Sequence, residues 1–132
     1  MGHKDKQLLL QDLSGRLPYS VIVQVNDGIK GTYDSQLVQV FCDRASCSVN
    51  VRNPLEECIC IDSVKPYLRS MSPMTEEEKK EYHKTFRAEP YGSGIGYIYV
   101  ESAKSFDWLD KKMFDYRGLI PNGLALEAPE GM

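Results

Sequence analysis

The sequence is short of the residues that move protons, and it has neither a long apolar run nor an excess of positive charge. Only two histidines, His3 and His83, occur in 132 residues. His3 falls in a polar N-terminal stretch and His83 on the polar face of a predicted helix. Neither has an obvious serine or cysteine to activate, so both read as solvated side chains, and nucleophilic or histidine-based acid–base catalysis is poorly supplied. At the N-terminus the one unbroken apolar run is Leu8, Leu9 and Leu10, followed by Gln11 and Asp12, which is too short for a signal peptide or a membrane span. The expectation is therefore a cytoplasmic protein without a membrane partner, its four cysteines reduced. A net charge of -3 argues against non-specific nucleic-acid binding, which needs a basic face, and leaves only a local basic patch open.

A chain of this length suits one domain that buries roughly two-thirds of its unfolded surface. Residues 1–6 are polar and read as a disordered tail. Over 7–13 the spacing of Leu8, Leu9 and Leu13 predicts a short amphipathic helix ended by Gly15. From Ser20 the period changes to two. Val21, Val23 and Val25 alternate, and Asn26-Asp27-Gly28 supplies a tight hairpin turn. Further strands are expected over 29–33, 36–42, 46–52 and 57–62, separated by turns at Asp34-Ser35, 43–45 and Asn53-Pro54. Five short strands at this spacing predict a small antiparallel barrel of SH3-like or OB-like type, taken as SH3-like over 17–64, in which closure hides the sheet edges.

The segment 64–74 carries two prolines and reads as a strap leaving the barrel. Thr75 then starts a helix over about 76–86, because Thr75 and Glu78 form a capping box and Glu76, Glu77 and Glu78 precede Lys79, Lys80 and Lys84 along the dipole. Tyr82 and Phe86, four apart, are its only large anchors. Residues 90–96 read as a loop, and 97–101 as a strand pairing with 124–127.

The richest stretch is SFDWLDKKMFDYRGLI, residues 105–120. Ser105 can cap a helix near 106–114, Asp115 begins a second turn, Gly118 stops it and Pro121 forbids its resumption. The aromatics here are either the core of a compact C-terminal unit or the anchor of a binding face. Trp, Tyr and Arg are the residues that dominate interfaces, which singles out Trp108, Tyr116 and Arg117.

Other chemistry has bland explanations. Cys42, Cys47, Cys58 and Cys60 could surround a zinc ion, but C-x4-C with C-x-C is irregular for a structural site, and small buried cysteines among Val and Ile, or a disulfide, explain the same pattern. Gly92, Gly94 and Gly96 lack the strand–loop–helix order of a phosphate loop. Carboxylates at Glu76–Glu78, Asp107, Asp110 and Asp115 are accounted for by helix ends, so a paired-carboxylate hydrolase has no cleft to cite. Arg16, Lys30, Arg44, Arg52, Lys65 and Arg69 are spread along the barrel half and read as solvated charge, while a barrel face remains the route to nucleic acid.

Two segments, KPYLRSMSPMTEEE (65–78) and FDWLDKKMFDYRGLIPNGLALE (106–127), resemble a family of short proteins encoded by gut Bacteroidales and by their phages, to which no activity is assigned. The matching positions are Lys65, Pro66, Tyr67, Leu68, Arg69, Met71, Thr75, Glu76, Glu77, Glu78, Phe106, Trp108, Leu109, Asp115, Tyr116, Arg117 and Gly118. The resemblance implies a host-interacting or accessory role in a phage or mobile-element setting. The expected architecture is α+β: an N-terminal tail and short helix (1–16), a small SH3-like barrel (17–64), and a strap, surface helix and helical aromatic cap (65–132) packed on it as one domain. The expected function is a non-enzymatic interaction module without cofactor or metal, binding a protein partner through Tyr67, Arg69, Trp108, Tyr116 and Arg117. A nucleic-acid-binding accessory protein is the alternative.

Overall fold

The computed structural model describes residues 2–28, 31–42, 47–52, 56–72, 74–91 and 96–129. Helix α1 (His3–Arg16) is longer at both ends than the apolar spacing predicts. It begins in the stretch read as a disordered tail, and Gly15 does not stop it. Its buried stripe is Leu9, Asp12, Leu13 and Arg16, two leucines and an i,i+4 ion pair on one side of the helix. Gly15 is there for close approach. A Cβ at this position would lie 3.1 Å from Asp110 Oδ2 and 3.4 Å from Arg117 Nη2.

A single 3-10 turn (Leu17–Tyr19) leads through Ser20, in the left-handed conformation at φ 62°, into strand β1 (Ile22–Asp27). Strand β2 (Gly31–Cys42) pairs antiparallel with β1 from Gln36 back to Gly31, and with β3 (Cys47–Arg52) from Gln36 onward. The turn expected at Asp34-Ser35 does not form. Both residues lie within β2, opposite Gln24 and Val23, and tertiary bonds override their turn preference. Asp34 accepts from the Tyr67 hydroxyl, and the Ser35 hydroxyl donates to the Arg52 carbonyl. One long strand thus serves two hairpins, with a bulge between Leu37 and Gln39 where it changes partner. The turns expected at 43–45 and 53–54 lie outside the described residues, as do Gly92 and Gly94.

Strand β4 (Glu56–Cys60) pairs with β3, and a 3-10 turn (Ile61–Ser63) carries the chain to β5 (Val64–Leu68), which pairs antiparallel with β1. The first half of the expected strap is therefore a strand. Pro66 is tolerated because β8 (Leu126–Glu127) meets β5 only at Tyr67 and Leu68, so that at Pro66 this side of β5 is an edge. The sheet order is β4-β3-β2-β1-β5-β8. Among the described residues no ladder joins β4 to β8, so this α+β fold has an open mixed sheet and not a closed barrel. Leu9 and Leu13 of α1 cover it, packing with Val21, Val23, Val25, Leu37, Val49, Val51, Ile61, Val64 and Leu68. None of the described helices is long and apolar enough to cross a membrane.

Helix α2 (Glu76–Lys84) starts at the predicted capping box, with Glu78 N–H donating to Thr75 Oγ1 and Thr75 N–H to Glu78 Oε1, each at 3.1 Å. Strands β6 (Arg87–Tyr91) and β7 (Gly96–Val100) pair with each other. The expected pairing of 97–101 with 124–127 is thus replaced on both sides, since β8 joins the main sheet beside β5. Helix α3 (Ala103–Lys111) begins three residues before the predicted start, because the Ser102 N–H donates to Ser105 Oγ at 2.9 Å and Ser102 takes the capping position. Asp115 acts as the turn cap its sequence position predicts: its carboxylate accepts from the N–H groups of Leu119 (2.8 Å) and Ile120 (2.9 Å). A second apolar cluster of Met74, Leu109 and Phe114 ties these parts together, with Met71, Tyr82, Trp108 and Tyr116 against it.

Candidate binding surfaces

Of the five residues singled out from the sequence, Trp108 and Arg69 meet around one buried ring. Trp108 stacks on Phe114 with centroids 5.7 Å apart and planes at 16°, and its ring is 5.6 Å from Tyr82. The Arg69 guanidinium lies 4.2 Å from the Phe114 centroid and donates to both Glu78 oxygens, at 2.8 and 2.9 Å. That bidentate bond holds the Glu78 carboxyl down to about 2, against the opposing effect of its partial burial. Backbone bonds fix Arg69 beside Phe114: its N–H donates to the Met113 carbonyl and Asp115 N–H to the Arg69 carbonyl, both at 2.7 Å. Met113 needs a left-handed backbone, φ 62°, to make this connection.

Tyr116 and Arg117 belong to a second group with α1. Arg16 Nε donates to both oxygens of Asp12 (3.0 and 2.9 Å), and its terminal nitrogens reach the carbonyls of Leu109 and Phe114. Arg117 Nη1 donates to Asp12 Oδ1 at 2.7 Å and to Asp110 Oδ1 at 3.3 Å, while the Tyr116 hydroxyl donates to Asp110 Oδ1 at 3.0 Å. Two cations and two anions are thereby closed into a neutral quartet joining the first helix to the C-terminal segment. Burial pushes the Asp12 carboxyl up, against the lowering pull of Arg16 and Arg117, and burial followed by the Asp110 bond pushes the Tyr116 phenol up. Both arginines also approach the Tyr116 ring, at 5.6 and 4.4 Å. Arg16 is fully buried, so the expectation that it is a solvated surface charge is wrong; the quartet supplies the partners that burial demands.

Tyr67 stands apart. Its hydroxyl donates to Asp34 (2.6 Å) and accepts from Gln24 (3.2 Å), and the Asp34 bond raises its pKa. With Arg69 it lines a cleft of about 310 Å³ whose other walls are Tyr19, Ser20, Ile22, Lys111, Lys112, Met113 and Ala128.

The cysteines correct a further expectation. Cys47 is disulfide-bonded, with Cys42 opposite it in the ladder, and Cys58 and Cys60 are free and exposed. They are neither four reduced thiols nor four core residues, and an oxidised Cys47 offers no thiolate to a four-cysteine zinc site. Among the described residues no group of three or more potential ligands is placed to hold a metal ion.

Among the described residues, the most exposed large hydrophobic side chains lie where the sequence analysis placed no site. Tyr97 and Tyr99, two apart on β7, are 70% and 72% exposed, and Ile98 between them is 43% exposed. Their cross-strand neighbours on β6 are Pro90, Ala88 and Glu89. The signal was present in GYIYV. A half-buried strand alternates apolar with polar, whereas this one has large side chains at three successive positions and no charge, so one face or both must be left in water. Comparison of the chain with protein-family models, with curated proteins and with solved structures finds no match.

Proposed function

We propose that this chain is a non-enzymatic interaction or accessory module that engages a protein partner through the β6–β7 hairpin. The observation that carries the proposal is the pair of tyrosines at 70% and 72% exposure, side by side on a two-stranded hairpin. Large aromatic side chains supply contact area at low entropic cost, and a two-stranded sheet gains order when a partner covers it. The anchors named from the sequence support this role indirectly: Trp108, packed on Tyr82, and Arg69, bound to Glu78, fasten the parts of the chain on either side of the hairpin in sequence, and Arg117 fastens α1. The histidines favour a non-enzymatic reading, since His3 and His83 are exposed and His83 packs edge-on against Phe86 at 5.2 Å. The resemblance of 65–78 and 106–127 to a phage-associated family supports an accessory role, as part of the same proposal.

As part of the same proposal we read the open sheet as an incompletely closed, SH3-like barrel, a reading that rests on three features. Five strands run in the order β4-β3-β2-β1-β5, a 3-10 turn links β4 to β5, and a cleft is shared by Val25–Gly28 and Cys58–Cys60, from strands that are not neighbours in the sheet. The nucleic-acid alternative through that face has less support, because Arg16 is buried and Arg69 is bound to Glu78.

The test is affinity capture from host lysate, with and without nuclease, using the natural chain and a Tyr97→Ser/Tyr99→Ser variant. A protein recovered in stoichiometric amount despite nuclease, and lost with the variant while its melting temperature stays unchanged, is the expected result. Equal recovery by both chains, or recovery only of nuclease-sensitive material, removes the hairpin from this role.

A further inference from the structure

We propose that the cleft lined by Tyr67, Arg69, Lys111 and Lys112 binds a small phosphate monoester. It shares no residue with the hairpin and goes beyond the protein-binding role.

The charge pattern is the first argument. On a chain of net charge -3, the nine lining residues include three cations and no carboxylate. The Arg69 charge is already matched, because Glu78 takes its fork bidentately. Lys111 and Lys112 are exposed, and among the described residues neither makes an ion pair or a side-chain hydrogen bond. Two unmatched ammonium groups suit a dianion. A phosphate monoester carries close to two negative charges at pH 7, whereas a carboxylate carries one. The bland account of the lysines is that they oppose the negative end of the α3 dipole. It explains their sign but not the concavity beside them.

The second argument is the backbone. The structure has two non-glycine residues with positive φ among those described, Ser20 and Met113, each at 62°. They come from segments more than ninety positions apart, and both line this cleft. Left-handed conformations of such residues are disfavoured; the Met113 one also serves the bond to Arg69, but the two such residues meet at one cleft, as strained backbone does at ligand sites. The cleft is also lined by Tyr19 and Ser20, whose hydroxyls make no hydrogen bond among the described residues. The volume of about 310 Å³ falls at the lower end of ligand cavities and admits a molecule of mononucleotide size. Tyr67, its hydroxyl tied to Asp34 and Gln24, offers a fixed ring to the remainder of the ligand.

The experiment is amide chemical-shift mapping of the full chain with adenosine 5′-monophosphate and inorganic phosphate, with adenosine and acetate as uncharged and singly charged controls. A single-stranded oligonucleotide forms a separate arm. Shifts at Ser20, Tyr67, Lys111, Lys112 and Met113 with the two phosphates, saturating by about 10 mM and weakening with added salt, are the expected result. A Lys111→Gln/Lys112→Gln variant weakens binding at least about 10-fold, while its far-ultraviolet dichroism and melting temperature stay those of the natural chain. Three results overturn the proposal. They are absence of shifts in the cleft, binding only of the oligonucleotide, and shifts centred instead on the second cationic hollow, lined by Lys84, Arg87 and Lys104.

Discussion

Replacing Asp12 by alanine tests the account of how the two ends of the chain are joined. Asp12 is the carboxylate shared by Arg16 and Arg117, fully buried and bonded at 2.7 to 3.0 Å. Its removal leaves two guanidinium groups facing Asp110 alone, a net buried positive charge. Breaking one partner of a buried ion pair costs about 3–5 kcal/mol, because the remaining charge stays desolvated. Two features place the expected loss at about 3 kcal/mol, the lower end of that range. Arg16 keeps its bonds to the carbonyls of Leu109 and Phe114, and the Arg117 side chain retains 17% exposure through which water can reach it. For a domain of this length, an unfolding entropy of about 2.1 cal/mol/K per residue converts 3 kcal/mol into a fall in Tm of about 11 °C. Urea unfolding should show the same loss with the slope unchanged, since the surface exposed on unfolding is nearly the same. Asp12→Leu combined with Arg16→Met should recover most of the loss, because an apolar pair removes the uncompensated charge and leaves Arg117 matched by Asp110. A loss below about 1 kcal/mol for Asp12→Ala is the level of an exposed pair and would refute the quartet as the fastening between α1 and the C-terminal segment.

Two further perturbations follow from the same packing. The Glu78 carboxyl is depressed from 4.5 to about 2, so the Arg69 pair contributes stability that is complete above pH 4.5 and is lost as the pH falls towards 2. With the Arg69 side chain one-third exposed, solvent screening reduces that contribution to about 1–2 kcal/mol. Glu78→Gln should remove this segment from the curve of unfolding free energy against pH; the difference curve isolates it from Asp12, whose raised pKa acts with the opposite sign. An unchanged acid limb would show that the pair contributes nothing. Gly15→Ala sets helix propensity, worth about 1 kcal/mol in favour of alanine, against a Cβ placed 3.1 Å from Asp110 Oδ2. Asp110 is held by Tyr116 and Arg117 and cannot withdraw, so the clash should prevail and Tm should fall, whereas a rise would mean that α1 and α3 can move apart without loss.

Local chemistry made several features legible in the sequence. The Thr75–Glu78 box starts α2, the valine alternation from Val21 is the buried face of β1, and Asp115 caps the turn after it, because each of these depends on neighbours within a few positions. Other readings failed where distant partners decided. Asp34 and Ser35 look like a turn until Tyr67 and the Arg52 carbonyl take up their hydrogen bonds and keep them in β2. Pro66 makes 64–74 look like a strap until β5 pairs with β1 and the short β8 leaves Pro66 at an edge. Likewise, 97–101 and 124–127 were equally good strands for one another. Period-two patterning cannot specify a partner, and the chain paired each with a different neighbour.

The same division holds for the candidate sites. The sequence by itself determined the class, α+β, and the residues with binding chemistry, since aromatic and arginine side chains carry their properties wherever they fall. Only the tertiary structure decided which of them water can reach. It bound Arg117 and Tyr116 to Asp12 and Asp110, from opposite ends of the chain, stacked Trp108 on Phe114, and left Tyr97 and Tyr99 uncovered. Exposure depends on what packs over a residue, and that includes contacts such as Asp12–Arg117, 105 positions apart, which no local pattern encodes.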